Sequence, residues 1–198
     1  MKKIFFVILI LILATLCFAS CAEIGEYAKL NQISKNNYSQ VRVDITVQKS
    51  GEQSKLVSNI VCINVDQTTQ TVAYVLQEYA KIGVEGDTIT LPDQQIVTKS
   101  GTVTLQNGVV TSQQGDQTTF DFANMGKLRF TFRDSYLANA RTENGIFSAY
   151  VTNTTGFFGK SIPGATNVKV AVDVNTYKSI TISYTANGSD VTIVYTLA

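Results

Sequence analysis

Val41-Arg42-Val43-Asp44-Ile45-Thr46-Val47 alternates apolar and polar residues without a break. Successive side chains of an extended chain point to opposite faces, so this stretch is a strand with one covered face and one wet face. The same pattern returns three times near the far end of the chain. Val168, Val170, Val172 and Val174 form one set, Ile180, Ile182 and Tyr184 the next, and Val191, Ile193, Tyr195 and Leu197 the last. Four half-covered segments of this kind make the chain mainly β, and the alternation points to antiparallel pairing. A large sheet with one apolar face must curl to hide it, which predicts a large curved antiparallel sheet, half-barrel-like in form.

Outward from these segments, strands are expected at 56–65 and at 71–79, the latter with Val72, Tyr74 and Leu76 on one face. Shorter ones are expected at 88–91, 95–99, 102–106 and 109–112. Further along come 128–133, with Leu128, Phe130 and Phe132 on one face, then 136–142 and 146–152. Asn107-Gly108, Asn144-Gly145 and Asn187-Gly188 are hairpin signals, because a type I′ turn needs positive φ at both central positions. Residues 120–125 read equally as a short helix or a strand end, and 153–165 as a loop. In front of the sheet, Ile24, Tyr27, Leu30 and Ile33 recur every three residues and predict a short N-terminal helix over 23–34. Glu23 and Glu26 sit in its first turn and Lys35 at its end, as the helix dipole prefers; an ordered, non-helical tether is the alternative. No repeat and no linker divides the chain beyond this helix. The strands read as consecutive antiparallel neighbours, with residues 1–20 a signal peptide, 21–37 an anchor and short helix, and 38–198 one antiparallel β domain.

The assignment of residues 1–20 comes from Lys2 and Lys3, the apolar run that starts at Ile4, and the small-residue exit at Ala19-Ser20-Cys21. A charged start, a short apolar stretch and a small-residue exit are the parts of a secretory signal. The 13 apolar-rich residues of 4–16 fall short of the roughly 20 that a spanning helix needs. Phe18-Ala19-Ser20-Cys21 resembles the lipobox of bacterial lipoproteins. That resemblance implies cleavage before Cys21, acylation of its thiol by a diacylglyceryl group, and a protein of the bacterial cell envelope, extracytoplasmic and lipid-anchored to a membrane. A plain secretory signal with Cys21 incidental is the alternative. Cys17 is a poorer junction, since bulky Leu16 precedes it.

A second resemblance spans most of the mature chain. Leu30-x-x-Ile33 runs into Tyr38-x-x-Val41-x-Val43-x-Ile45. At the far end stand Val168-Lys169-Val170, Ser179-Ile180-Thr181-Ile182 and Val191-Thr192-Ile193-Val194-Tyr195. A short helix, a long antiparallel sheet and three closing strands look like the half-barrel lipoproteins of the LolA/LolB and LppX/LprG type. The resemblance implies a curved sheet whose concave face holds a lipid or other hydrophobic ligand.

Composition narrows the chemistry. Removing residues 1–20 from 198 leaves 178; with Lys2 and Lys3 gone, 14 basic residues face 15 acidic ones, a net charge of −1. One domain of this size buries roughly 70% of its unfolded surface. A near-neutral chain has no electrostatic footprint for nucleic acid. The chain has no histidine, which removes Ser-His-Asp and Cys-His catalysis and the commonest zinc and copper ligand. No metal, no cofactor and no catalytic residue is expected. Cys62, inside Ile60-Val61-Cys62-Ile63, reads as a small buried hydrophobe with no disulfide partner. Carboxylates are scattered and mostly at turns, no G-x-S-x-G or S-x-x-K set appears, and the chain is read as a non-enzyme.

One segment is unusual. In Thr155-Gly156-Phe157-Phe158-Gly159-Lys160-Ser161-Ile162-Pro163-Gly164 two adjacent phenylalanines sit between glycines. They either close over an apolar cavity, touch a membrane or partner, or pack back under the sheet. The residues expected to touch a ligand are Phe130, Phe132, Phe157 and Phe158. Two functions fit these features. One is a membrane-anchored binder or carrier of a lipid or other hydrophobic ligand. The other is a surface structural, partner-binding or sensor lipoprotein without a small ligand, its protein partner unknown.

Overall fold

The computed structural model describes residues 25–53, 55–79, 83–85, 88–90, 95–123 and 125–198. Cys21, Cys17 and the whole expected signal peptide lie outside the described residues. Twelve strands are present among those described: β1 (Gln40–Lys49), β2 (Lys55–Ile63), β3 (Thr69–Tyr79), β4 (Gly83–Glu85), β5 (Thr88–Thr90), β6 (Ile96–Gln106), β7 (Val109–Gly115), β8 (Leu137–Glu143), β9 (Ile146–Val151), β10 (Ala165–Asp173), β11 (Ser179–Ala186) and β12 (Ser189–Leu197). Ten of them form one curved, unclosed antiparallel sheet in the order β7-β6-β3-β2-β1-β12-β11-β10-β9-β8. β4 and β5 pair separately. A short helix, α1, spans 25–32.

Consecutive strands pair antiparallel along most of the chain, as the alternation implies, with one crossing between the sheet's edges. The chain starts in the middle of the sheet at β1 and works out to the β7 edge. It then crosses to the β8 edge and works back to the middle, where β12 pairs with β1 over nine residues from Val41↔Leu197 to Lys49↔Ser189. First and last strands therefore meet, and the crossing must pass over one face.

That crossing is a strap over 117–133. Phe122 reaches β3, with its ring 4.9 Å from Tyr74. Gly126 lies so close to Cys62 and Val65 that a Cβ there would sit about 3.0 Å from Val65. Phe130 meets Tyr195 of β12 at 5.6 Å and Phe132 meets Phe147 of β9 at 5.8 Å. The expected strand over 128–133 is thus extended and alternates buried Leu128, Phe130 and Phe132 with exposed Lys127, Arg129 and Arg133. It belongs to no sheet. Its backbone is paired instead by side chains of the segment around α1 and by the Phe157 carbonyl, which accepts from the Thr131 N–H at 2.9 Å. The Asn31 side chain donates to the Phe132 carbonyl (3.0 Å) and accepts from the Phe132 N–H (2.8 Å). Ser34 does the same for Phe130, at 3.0 and 2.8 Å. A half-buried extended segment shows period-two alternation whether a strand or a helix side chain satisfies its polar groups.

Two further differences have local causes. The expected strands 95–99 and 102–106 are one strand, β6, running through Ser100-Gly101. Gly101 is there because the Tyr74 ring occupies the space of a side chain: a Cβ would lie 2.6 Å from its hydroxyl oxygen and 2.2 Å from the Gln114 carbonyl. The expected loop at 153–165 contains a helix, α2 (Thr154–Phe158). Asn153 caps it by accepting from the Gly156 N–H at 2.8 Å, and Gly159, at φ +69°, ends it. Residues 120–123 are neither helix nor strand. The Asn-Gly pairs 107–108, 144–145 and 187–188 all have positive φ. Register breaks at Thr166/Lys169 and Ala138/Arg141 coincide with Asn167 and Asn139, both at φ +53°. Such bulges bend strands and help curve the sheet.

Candidate functional site

The central strands of the large sheet turn one apolar face inward, while the edge strand β7 buries no residue. On β1 the inner residues are Val41, Val43, Ile45 and Val47; on β12 they are Leu197, Tyr195, Ile193 and Val191, each opposite its β1 partner. We call the end at Val41 and Leu197 the lower end. There the concave face is filled. Tyr27 of α1 packs edge-on to Phe147 at 6.1 Å, and Leu30 and Ile33 are fully buried. The strap adds Leu128, Phe130 and Phe132, and α2 adds Phe157.

The four phenylalanines expected to touch a ligand form one ring cluster, with differing access. Phe157 is 0% and Phe132 1% exposed. Phe157 stacks on Phe130 at 5.7 Å and meets Phe132 edge-on at 5.1 Å. The cap and the one-turn helix drive Phe157 inward, so it is a core residue and not a lid, and Phe132 is buried between it and Phe147. Phe158, edge-on to Phe157 at 4.8 Å, is only half-buried.

Phe158 and Phe130 line a cavity of about 480 Å³ on the upper side of the strap. Phe120, Met125, Leu128 and Tyr195 complete its apolar lining, and Lys127, Arg129, Lys160 and Asp121 its polar part. The volume falls within the range of roughly 300–1,000 Å³ usual for ligand pockets. Phe120, Met125 and Tyr195 carried no ligand signal in sequence: Phe120 and Met125 sat in the ambiguous 120–125 stretch, and Tyr195 read as one more inward strand residue.

Beyond Tyr195 the concave face continues upward as Ile193 and Val191, flanked by Ile182 and Tyr184 on β11 and by Ile45 and Val47 on β1. Leu56 lies opposite Val47. Of these only Ile182 is buried; the others are half-buried. Burial pushes the Tyr195 hydroxyl up to about 12 and raises Tyr184 also, so both stay protonated donors at neutral pH. Deeper in the wall, burial pushes the Cys62 thiol up to about 11, which makes it an inert core residue.

Among the described residues, no three His, Cys, Asp or Glu side chains gather to hold a metal ion. No helix among them is long and apolar enough to cross a membrane.

No protein-family model matches the chain, and no match is found among curated proteins. Among solved structures it is similar to a domain ascribed to outer membrane lipoprotein sorting in Vibrio parahaemolyticus. The two are 10% identical, with 85% of this chain and 88% of that one covered, at a TM-score of 0.32. A likeness at that score carries no argument about what this chain binds.

Proposed function

We propose that this chain is an extracytoplasmic lipoprotein, anchored through acylated Cys21, that binds or carries a lipid or other hydrophobic ligand on the upper half of its concave face. The observation that carries the reading is the cavity of about 480 Å³ lined by Phe120, Phe130, Phe158 and Tyr195, with Ile193 and Val191 half-buried further along the same strand as Tyr195. Apolar surface left this accessible inside a curved sheet gains free energy when something apolar covers it, at about 25 cal/mol per Å². The chemistry asked of the protein is sequestration, and the chain is read as a non-enzyme.

Native mass spectrometry on protein extracted from membranes tests the reading. A retained adduct of lipid mass, released by organic solvent, is the expected result. Replacing Cys21 by Ser is expected to move the protein from the membrane to the soluble fraction, because stable anchoring takes two acyl chains. Full membrane retention of an otherwise processed Cys21→Ser protein contradicts the anchor without touching the cavity.

A second reading, a partner-binding or sensor lipoprotein without a small ligand, is favoured by the convex face. There Val57, Val75 and Ile63 are 44%, 43% and 41% exposed on neighbouring strands β2 and β3. Extracted protein with no lipid adduct and an empty upper cavity favours this alternative.

A further inference from the structure

Resting on the carrier reading, we infer that the ligand is an amphiphile with an anionic head, held at the mouth of the cavity by Lys127, Arg129 and Lys160. The backbone sets the positions of all three. Along the strap, Leu128 and Phe130 turn down to the sheet, so Lys127 and Arg129 turn up to solvent at the cavity's rim. Gly159 breaks α2 in the left-handed region, and Lys160 leaves beside Phe158 on the same opening.

Their placement around one opening sets them apart. Arg42, Lys49, Lys99 and Arg141 each have a carboxylate neighbour: Asp44, Glu52, Glu78 and Glu143. Among the described residues, Lys127, Arg129 and Lys160 have none, and neither have Lys29, Lys35, Lys55, Arg133, Lys169 and Lys178; only the first three gather on the rim of one apolar-floored cavity. The single carboxylate in the lining, Asp121, accepts a hydrogen bond from the Ala123 N–H at 2.9 Å, within its own turn. Three cations against one anion leave the mouth at +2, on a mature domain whose net charge is −1.

Lys127 and Arg129 also border a polar cavity of about 490 Å³ on the other side of the strap, with Asp66 in its wall. That carboxylate is already engaged by the Tyr38 N–H at 2.8 Å. An apolar floor beneath an unpaired cationic rim matches a molecule with an acyl chain and a carboxylate or phosphate head. The chain would lie along Phe130, Phe158 and Tyr195 toward Ile193, and the head would stay in the partly solvated mouth. There the attraction is modest singly and screened by salt, but three cations act on one head.

The test uses the full chain carrying Cys21→Ser, titrated with cis-parinaric acid and with its methyl ester, which share the chain and differ in charge. The acid is expected to bind at least tenfold more tightly than the ester at low salt. The triple variant Lys127→Ala, Arg129→Ala, Lys160→Ala is expected to bind the acid no better than the ester, with ester affinity and melting temperature unchanged. Palmitate and lysophosphatidate as competitors distinguish the two heads; stronger displacement by either than by a neutral monoacylglycerol supports an anionic site. Equal affinity of the parent protein for acid and ester overturns the head-group inference and leaves the cavity reading standing. Binding of neither probe overturns both.

Discussion

The two ends of the concave face are built from the same strands and the same residue types, yet they end in different states. At the lower end Val41, Val43, Ile60 and Ile180 are 0% exposed and Leu197 2%. Two to six residues further along the same strands, Ile45, Val47, Tyr184, Val191 and Ile193 are half-buried. Nothing in the sheet accounts for the change. The difference lies in what crosses over it: α1, the strap and α2 all cover the lower end, and the strap's upper side borders a cavity instead of more protein. A filled end provides stability, and on the proposed function the half-covered end is the binding surface, so changes in the two should separate stability from binding.

The largest expected effect comes from the paired rings. Phe157→Ala empties a fully buried site and is expected to cost about 3–5 kcal/mol in chemical denaturation. Phe158→Ala, at the cavity, is expected to cost under about 1.5 kcal/mol and to weaken retention of a fluorescent fatty acid instead. Equal stability losses at the two positions would erase the distinction between the ends.

Alkaline pH gives the next effect. The Cys62 thiol is raised from 9.0 to about 11 and the Tyr195 hydroxyl from 10.0 to about 12, burial being the main cause for both. Below pH 9 both groups are neutral folded and unfolded, and their contribution is fully present. As pH rises, the unfolded chain ionises first, so stability is lost from about pH 9 to 11 for the thiol and from about 10 to 12 for the hydroxyl. Each shift corresponds to about 2–3 kcal/mol. Denaturation curves across this range are expected to lose the lower step in Cys62→Ala. An unaltered pH dependence in that variant contradicts the burial of the thiol.

The clamp between strap and helix is smaller again. Asn31→Ala removes two hydrogen bonds and leaves the Phe132 N–H unpaired, for about 1–3 kcal/mol. Amide exchange at Phe132 and Phe130 is expected to rise in Asn31→Ala and Ser34→Ala respectively. Unchanged protection would contradict the clamp.

The legible parts of this fold were those written in period two and in turn chemistry. β1, β10, β11 and β12 are read directly from their alternation, and Asn107-Gly108, Asn144-Gly145 and Asn187-Gly188 mark hairpin turns as type I′ requires. The strap was legible as extended but not as unpaired, because Leu128, Phe130 and Phe132 alternate whatever bonds their backbone. The continuity of β6 was hidden, because Gly101 looks like a turn until Tyr74 is placed over it. Strand order was hidden too, since it is a choice among equally alternating segments. Of the candidate site, the glycine-flanked Phe157-Phe158 pair stood out in the sequence, but only the helical turn shows that one ring faces the core and its neighbour the cavity. Tyr195 and Phe120 join that cavity from segments 75 residues apart, a proximity that no local pattern announces.

Methyl-resolved NMR of the protein titrated with a neutral apolar ligand such as dodecanol tests the central claim most directly. The account predicts shifts at Ile45, Val47, Leu56, Val191 and Ile193, with Val41, Val43, Ile60 and Leu197 unmoved. Shifts spread evenly over both ends, or none at saturating ligand, would contradict it.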